Sequence, residues 1–157
     1  MKIEPYLIAS TINTCVGQRL VRKVCDNCKK QYTASEAAVK MINNIVGKIL
    51  PKNQEELPAV LKETGYDNLP IYSQNAYTLY KGEGCDQCQD GYKGRTGIYE
   101  VFEMNSNIEK LLLAKSTTSD ISKQAQADGM ITMQQDGILK AFSGITTIEE
   151  VARVASD

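Results

Sequence analysis

The sequence predicts an α+β protein in which a small, strand-containing four-cysteine subdomain is followed by a compact helical subdomain. Two Cys-x-x-Cys pairs, Cys25 with Cys28 and Cys85 with Cys88, are flanked by stretches rich in Val, Tyr and Thr, which are typical of strands. From Asn105 onward the chain carries four successive helix-start patterns. Charge is also uneven, with +4 over residues 1–32 and −4 over residues 100–157.

The first elements are a short helix and a strand. Glu4–Asn13 places apolar side chains at helical spacing, with Pro5 at an early position that a helix tolerates. Residues 16–25 are rich in β-branched side chains and alternate in polarity, which predicts a strand that leads into the first cysteine pair.

A helical insertion is predicted between the cysteine pairs. Thr33 and Glu36 form a capping-box pattern ahead of an apolar face, and Pro51 ends that helix. Residues 59–64 indicate a second, shorter helix, and residues 77–85 and 96–104 are expected to be the strands that flank the second pair.

The tail is expected to be helical. Its capping patterns are Ser106 with Glu109, Thr117 with Asp120, Thr132 with Gln135, and Thr147 with Glu150. Gly129 and Gly144 stand where helix ends favour a residue that tolerates positive φ. We therefore expect three parts: residues 1–24, a helix and strand at the edge of another domain; residues 25–104, the tetracysteine subdomain; and residues 105–157, the helical subdomain.

Composition excludes several classes of function. The 42% hydrophobic content supports a globular core, and a net charge of −1 offers no general attraction to nucleic acid or to anionic lipid. The sequence has no apolar run long enough for a membrane span, so a soluble, intracellular chain is expected. Histidine is absent, which removes the Ser-His and Cys-His designs of nucleophilic catalysis.

The two cysteine pairs predict a metal site. Four thiolates complete the tetrahedral shell of a structural Zn(Cys)4 site, with Cys25, Cys28, Cys85 and Cys88 as ligands. Two alternatives stay open: an iron site of rubredoxin type, and two independent redox pairs, although neither pair lies at a strand-to-helix turn. The 56-residue spacer from Lys29 to Gly84 is long for a zinc ribbon, and Cys15 is interpreted as a small core residue.

The glycines and cations near the second pair superficially resemble a phosphate-binding loop. Neither of the two glycine-rich phosphate-binding motifs is present, so we interpret the glycines as turns that wrap the metal. Arg95 is expected to pair with a carboxylate such as Glu100, or to lie near a subunit boundary. The basic residues beside the first pair lack stacking aromatics and are interpreted as solvated or protein-facing; they are Arg19, Arg22, Lys23, Lys29 and Lys30.

The order of motifs over nearly the whole chain resembles the C-terminal portion of the bacterial ATPases that power type II secretion and type IV pilus assembly. The resemblance is weakest over residues 33–77. It rests on Gln18-Arg19-Leu20 before the first cysteine pair, Gly94-Arg95-x-Gly97-Ile98-x-Glu100 after the second, and Asp136-Gly137-x-x-Lys140 with Gly144-x-Thr146 and Glu149-Glu150 in the tail.

This resemblance implies a hexameric, cytoplasmic motor ATPase peripheral to the inner membrane. The tetracysteine subdomain of the family usually binds zinc, which assigns Zn²⁺ to the same four cysteines. ATP and Mg²⁺ are expected only in the full-length parent. Expected partners are the rest of the ATPase core, neighbouring hexamer subunits and an inner-membrane platform protein, without nucleic acid and without membrane insertion.

The chain departs from the family in lacking the Walker A loop, the acidic Mg²⁺ site and the histidine box. Phosphoryl transfer without these groups lacks its main electrostatic terms, so this chain alone is expected to be inactive and no catalytic or nucleotide-binding residue is assigned. Two functions stay open: a C-terminal fragment of the motor, favoured by an apolar first helix with nothing upstream to pack on, and a free-standing zinc-ribbon-like adaptor or nucleic-acid-binding module.

Overall fold

The structure is a computed structural model that describes residues 4–72 and 76–155. Its strands are β1 (Thr14–Val24), β2 (Lys29–Thr33), β3 (Thr78–Gly82) and β4 (Tyr92–Glu103). Its helices are α1 (Pro5–Thr11), α2 (Glu36–Val46), α3 (Leu57–Thr64), α4 (Ser106–Leu113), α5 (Thr118–Ala127), α6 (Met133–Phe142) and α7 (Ile148–Ala155). The predicted α+β class is confirmed. No helix in the described ranges is long and apolar enough to cross a membrane.

The strands form two small sheets. β1 pairs with β4, and β2 pairs with β3 in antiparallel register, with Lys29 opposite Gly82 and Thr33 opposite Thr78. The β2–β3 ladder joins the two ends of the segment between the cysteine pairs, because β2 starts directly after Cys28 and β3 ends three residues before Cys85. Because this ladder brings the ends of the segment together, the two cysteine pairs can lie close to each other whatever the length of the segment.

The chain divides into two compact units. The larger unit comprises Arg19–Ile98 and Gln134–Asp157, and the smaller comprises Tyr99–Met133 together with the chain up to Gln18. The main hydrophobic core lies in the larger unit, where residues of α2 pack with residues of α6 and α7. Its fully buried members include Ile42, Val46, Leu79, Leu139 and Val151. The domain limits expected at residues 24 and 104 remain a prediction.

The smaller unit buries few hydrophobic side chains and exposes many. Among its described residues, Ile108 and Ala125 are the buried hydrophobics, and α1 buries none. Seven large apolar side chains in the described part of this unit are exposed: Tyr6, Leu7, Ile12, Val16, Tyr99, Val101 and Leu113. A compact unit with so little buried apolar surface gains little hydrophobic stabilisation from its own fold.

The start of α2 corrects one prediction. Thr33 belongs to β2 and caps nothing; Ser35 is the N-cap, and its side-chain oxygen accepts a hydrogen bond from the Ala38 N–H at 3.3 Å. The predicted continuation to Pro51 is also wrong, because α2 ends at Val46. Pairing with β3 places Thr33 in extended backbone, so a tertiary contact overrides the local capping pattern.

Helix ends in the tail agree better with the sequence. Thr117 and Asp120 form the predicted capping box, and Thr147 Oγ1 accepts the Glu150 N–H at 3.2 Å. At the start of α4 the cap is Asn105, one residue before the predicted Ser106, because the Asn105 side chain accepts two backbone N–H groups. Gly129 and Gly144 have the expected positive φ, at 101° and 68°.

Candidate metal centre

The structure brings together all four cysteines that the sequence predicts as ligands. Cys25 follows β1, Cys28 precedes β2, and Cys85 and Cys88 lie in the connection from β3 to β4. All four Sγ atoms lie within 4.8 Å of one another. The long spacer is therefore no obstacle, since the β2–β3 ladder returns the chain to the first pair.

Distances within the cluster fit a metal ion better than disulfides. Cys25 Sγ lies 3.8 Å from Cys85 Sγ, Cys28 Sγ lies 3.8 Å from Cys88 Sγ, and Cys85 Sγ lies 3.5 Å from Cys88 Sγ. A tetrahedron of sulfurs that each lie about 2.3 Å from a zinc ion has edges of about 3.8 Å. A disulfide requires about 2.05 Å, and all four thiols are free. The donor set is thus compatible with zinc.

Each cysteine pair adopts the same kind of turn. The Cys28 N–H donates to the Cys25 carbonyl at 3.3 Å, and the Cys88 N–H donates to the Cys85 carbonyl at 3.3 Å. In the second turn the Cys85 N–H lies 3.2 Å from Cys88 Sγ, as a donor to sulfur. The two turns have matching backbone hydrogen bonds, and together they bring the four cysteine sulfurs to one place.

Two glycines close the frame around the cluster. The Cys25 N–H donates to the Gly91 carbonyl at 2.9 Å, and the Glu83 N–H donates to the Cys28 carbonyl at 3.1 Å. Gly91 has φ 82°, and a Cβ placed on it would lie 2.5 Å from the Gly82 carbonyl oxygen. Only glycine fits such a close approach of two backbones, so these glycines allow the turn beside the cysteine cluster.

The pKa values of two thiols in the cluster shift in opposite directions. Burial raises the pKa of the Cys28 thiol. The pKa of the Cys88 thiol is lowered although burial opposes the change, because the backbone N–H of Cys85 and the neighbouring thiols hydrogen-bond to its sulfur. A soft divalent cation bound by the four sulfurs would favour the thiolate form of each.

A second cluster in the larger unit was missed by the sequence reasoning. Glu150 is only 2% exposed, and its carboxylate accepts hydrogen bonds from the Arg22 guanidinium at 2.5 Å and from the Arg153 guanidinium at 2.8 and 2.9 Å. The hydrogen bonds from Arg153 and then Arg22 outweigh burial and lower the pKa of Glu150 to about 2. The sequence predicts a capping role and a place in the tail motif for Glu150, and a solvated or protein-facing strip for Arg22; no local pattern joins the two residues.

The tail segment 145–150 contacts the strands that lead into and out of the cysteine pairs. The Val24 N–H donates to the Ile145 carbonyl at 2.9 Å, and Thr146 Oγ1 donates to the Arg22 carbonyl at 2.8 Å. Tyr92, four residues after Cys88, shares a 3.0 Å hydrogen bond between its hydroxyl and Thr147 Oγ1. Arg22 also lies over the Tyr92 ring, with 4.1 Å to the centroid.

The remaining candidate residues lie outside the cluster. Arg95 is exposed and lines a shallow depression with Leu20, Arg22 and Arg153. Within the described residues it forms no ion pair, so the pairing expected with Glu100 does not form. The two residues are five positions apart on β4, which separates them by about 17 Å along an extended strand. Cys15 belongs to the smaller unit and is only half-buried, so the core position expected of it is not confirmed.

Comparison with known proteins supports the resemblance over the full chain. The profile described as "Type II/IV secretion system protein" matches residues 1–153. The type IV pilus assembly ATPase PilB of Pseudomonas aeruginosa is 32% identical over 100% of this chain and 23% of its own length. The type II secretion system protein E of the same organism is 32% identical over 100% of this chain and 26% of its own length.

A PilB of Thermus thermophilus is also 32% identical, over 96% of this chain and 14% of its own length. The chain therefore spans about a quarter or less of the length of these curated relatives. The match extends over both cysteine pairs and the tail segment that contacts their flanking strands. The chain belongs to the type II/IV secretion system protein family.

Proposed function

We propose that this chain is the C-terminal part of a hexameric motor ATPase that powers type IV pilus assembly or type II protein secretion. Within that parent it acts as a zinc-stabilised structural and interaction module and does not hydrolyse ATP by itself. The observation that carries the proposal is the cluster of four thiols within 4.8 Å, in a chain whose relatives are named as pilus assembly ATPases and type II secretion proteins.

The proposed role of the ion is structural. Cys25, Cys28, Cys85 and Cys88 would hold Zn²⁺ as four thiolates, which leaves no open coordination position for water or substrate. The ion supplies binding energy that becomes folding energy, because the unfolded chain offers no assembled site. The chain's own residues do the rest: the paired turns aim the sulfurs, and the tail segment 145–150 holds the strands on either side.

The smaller unit supports the proposed interaction role. It exposes large apolar side chains such as Tyr6, Val16 and Leu113, while Ile108 and Ala125 are the hydrophobics that its described residues bury. A surface of this kind is typical of a region that packs against another domain or subunit. We assign this surface to the ATPase core and to neighbouring subunits of the parent, in the cytoplasm beside the inner membrane and its platform protein.

The metal proposal is tested on the purified, reduced chain. We expect one zinc ion per chain by elemental mass spectrometry, and loss of that zinc in the Cys88→Ser variant. Cys15→Ser is the matched control: this variant should retain the metal, since Cys15 lies outside the cluster. Red protein with bound iron, or metal-free protein whose five thiols are all reduced, would contradict the zinc assignment.

The fragment proposal is tested separately. The chain alone should release no phosphate from ATP above the rate measured in buffer. The reading frame upstream of Met1 should encode a glycine-rich phosphate-binding loop. Salt-dependent binding of the chain to DNA or RNA at micromolar concentration would instead favour an independent nucleic-acid-binding module. An in-frame stop codon directly before Met1 would favour a free-standing adaptor.

A further inference from the structure

We infer that the second cysteine pair, Cys85 and Cys88, is a peroxide-sensitive modification site whose conversion to a disulfide releases the metal ion. The inference rests on the proposed zinc function and adds a regulated state to it. It differs from a redox enzyme, because the pair exchanges no disulfide with a substrate. The residues that carry it are these two cysteines, and the co-reactant is hydrogen peroxide.

Exposure distinguishes the two pairs. Cys25 is 2% exposed and Cys28 is 9% exposed, whereas Cys85 and Cys88 are both half-buried. Peroxide must reach a sulfur from solvent before it can react, and oxidation of cysteines follows exposure together with thiolate character. Since a metal holds all four sulfurs as thiolates, exposure decides which pair reacts.

Geometry points to the same pair. The Cys85 and Cys88 sulfurs lie 3.5 Å apart, while the cross-pair distances from Cys25 to Cys85 and from Cys28 to Cys88 are both 3.8 Å. Closing 3.5 Å to the roughly 2.05 Å of a disulfide needs side-chain rotation within one short turn. A bond from Cys25 to Cys85 would instead pull on the end of β1, which hydrogen bonds from Val24 to Ile145 and from Cys25 to Gly91 hold in place.

The loop that carries the second pair has open space beside Gly84. It connects β3 to β4, and three of its residues have positive φ: Gly84 at 92°, Asp90 at 52° and Gly91 at 82°. Gly84 has open space around its Cα, with no heavy atom within 4 Å of a Cβ placed there. The first pair has no such freedom, because Cys25 and Cys28 each adjoin a strand.

The chemistry balances with peroxide alone. One thiolate of the pair attacks a peroxide oxygen, so that a sulfur–oxygen bond forms, the oxygen–oxygen bond breaks and hydroxide leaves. The second thiolate attacks the resulting sulfenic sulfur, a sulfur–sulfur bond forms and a second hydroxide leaves. Two thiolates thus lose two electrons and peroxide gains them. The disulfide would leave only Cys25 and Cys28 as thiolate ligands, and two ligands instead of four would no longer hold a divalent ion, which would leave without a change of charge.

The test uses the zinc-loaded 157-residue chain and its Cys15→Ser variant, which lacks the cysteine outside the cluster. Hydrogen peroxide is added stepwise, released zinc is followed with a chromophoric chelator, and remaining thiols are alkylated before trypsin digestion. The digest separates the pairs, because cleavage after basic residues places Cys25 and Cys28 on peptide 24–29, and Cys85 and Cys88 on peptide 82–93.

We expect peptide 82–93 to appear with an internal disulfide and no alkylation, in proportion to the zinc released, and a dithiol reductant with added zinc to reverse both changes. A first product that links peptides 24–29 and 82–93, a first disulfide inside 24–29, or zinc retention while Cys15 oxidises would overturn the inference. Purified reduced chain without zinc would overturn the metal function itself, and this inference with it.

Discussion

Replacing Glu150 by Gln should destabilise the larger unit. The carboxylate is 2% exposed and accepts four hydrogen bonds, two from Arg22 and two from Arg153. An amide keeps the shape but turns one acceptor into a donor that faces N–H groups. It also leaves Arg22 without its counter-charge, in a position where its Nε is already buried without a partner.

The magnitude follows from the pKa. Hydrogen bonds from Arg153 and Arg22 lower the pKa of Glu150 from 4.5 to about 2. At 1.36 kcal/mol per pKa unit, this gap corresponds to about 3 kcal/mol of stability. Because the pKa is depressed in the folded state, the contribution is complete above pH 4.5 and disappears as the pH falls through about 2.

The assay is urea unfolding of Glu150→Gln and of wild type, followed by tyrosine fluorescence and far-UV circular dichroism. At pH 7 we expect the variant to lose about 3 kcal/mol of unfolding free energy, and at low pH the two proteins should converge. Glu149→Gln is the matched control, since Glu149 is the exposed neighbour on α7 and should stay within about 0.5 kcal/mol of wild type. A gap that is below about 1 kcal/mol at pH 7, or that persists unchanged to pH 2, would refute the reasoning.

Three other changes test the frame around the metal and the core. Gly91→Ala should lower the melting temperature and the zinc affinity, because a Cβ there would lie 2.5 Å from the Gly82 carbonyl oxygen. Gly94→Ala is the control: Gly94 has φ 78° and no heavy atom within 4 Å of an added Cβ, so only the backbone strain should destabilise this variant. Equal losses in the two variants would contradict this account. Tyr66→Phe removes a 2.7 Å hydrogen bond to Asp136 and should cost about 1 to 2 kcal/mol in urea unfolding, whereas the exposed tyrosine of α1 should tolerate the same change. Zinc chelation should increase amide exchange in the β2–β3 ladder within minutes while the α2 core stays protected, and uniform exchange across both would argue against a local metal frame.

The features that the sequence predicted correctly are mostly local ones. The four cysteines come together as expected, because the turn that brings two sulfurs close lies within each Cys-x-x-Cys motif. Thr117 and Asp120 cap α5 as expected, because both halves of a capping box lie within one turn. The strands and helices with strong apolar patterns were also found, with ends that differ by a few residues.

The features that were missed depend on partners distant in the sequence. β2 contains Lys29, Lys30 and Gln31, whose side chains give no apolar alternation, and it is a strand because it pairs with β3 about fifty residues later. Glu150 looks like an ordinary residue in the first turn of a helix, and its counter-charge Arg22 lies 128 positions earlier. No window of neighbouring residues contains that information.

The long separation between Arg22 and Glu150 has a consequence for the order in which the protein is made. β1 and both cysteine pairs leave the ribosome before the residues that hydrogen-bond to Val24 and pair with Arg22 have been synthesised. Contacts of such sequence separation form late in folding. A nascent chain that stops short of Ile145 would therefore carry all four cluster cysteines beside an unpaired Arg22, and its apolar core would stay open until α6 and α7 pack against α2.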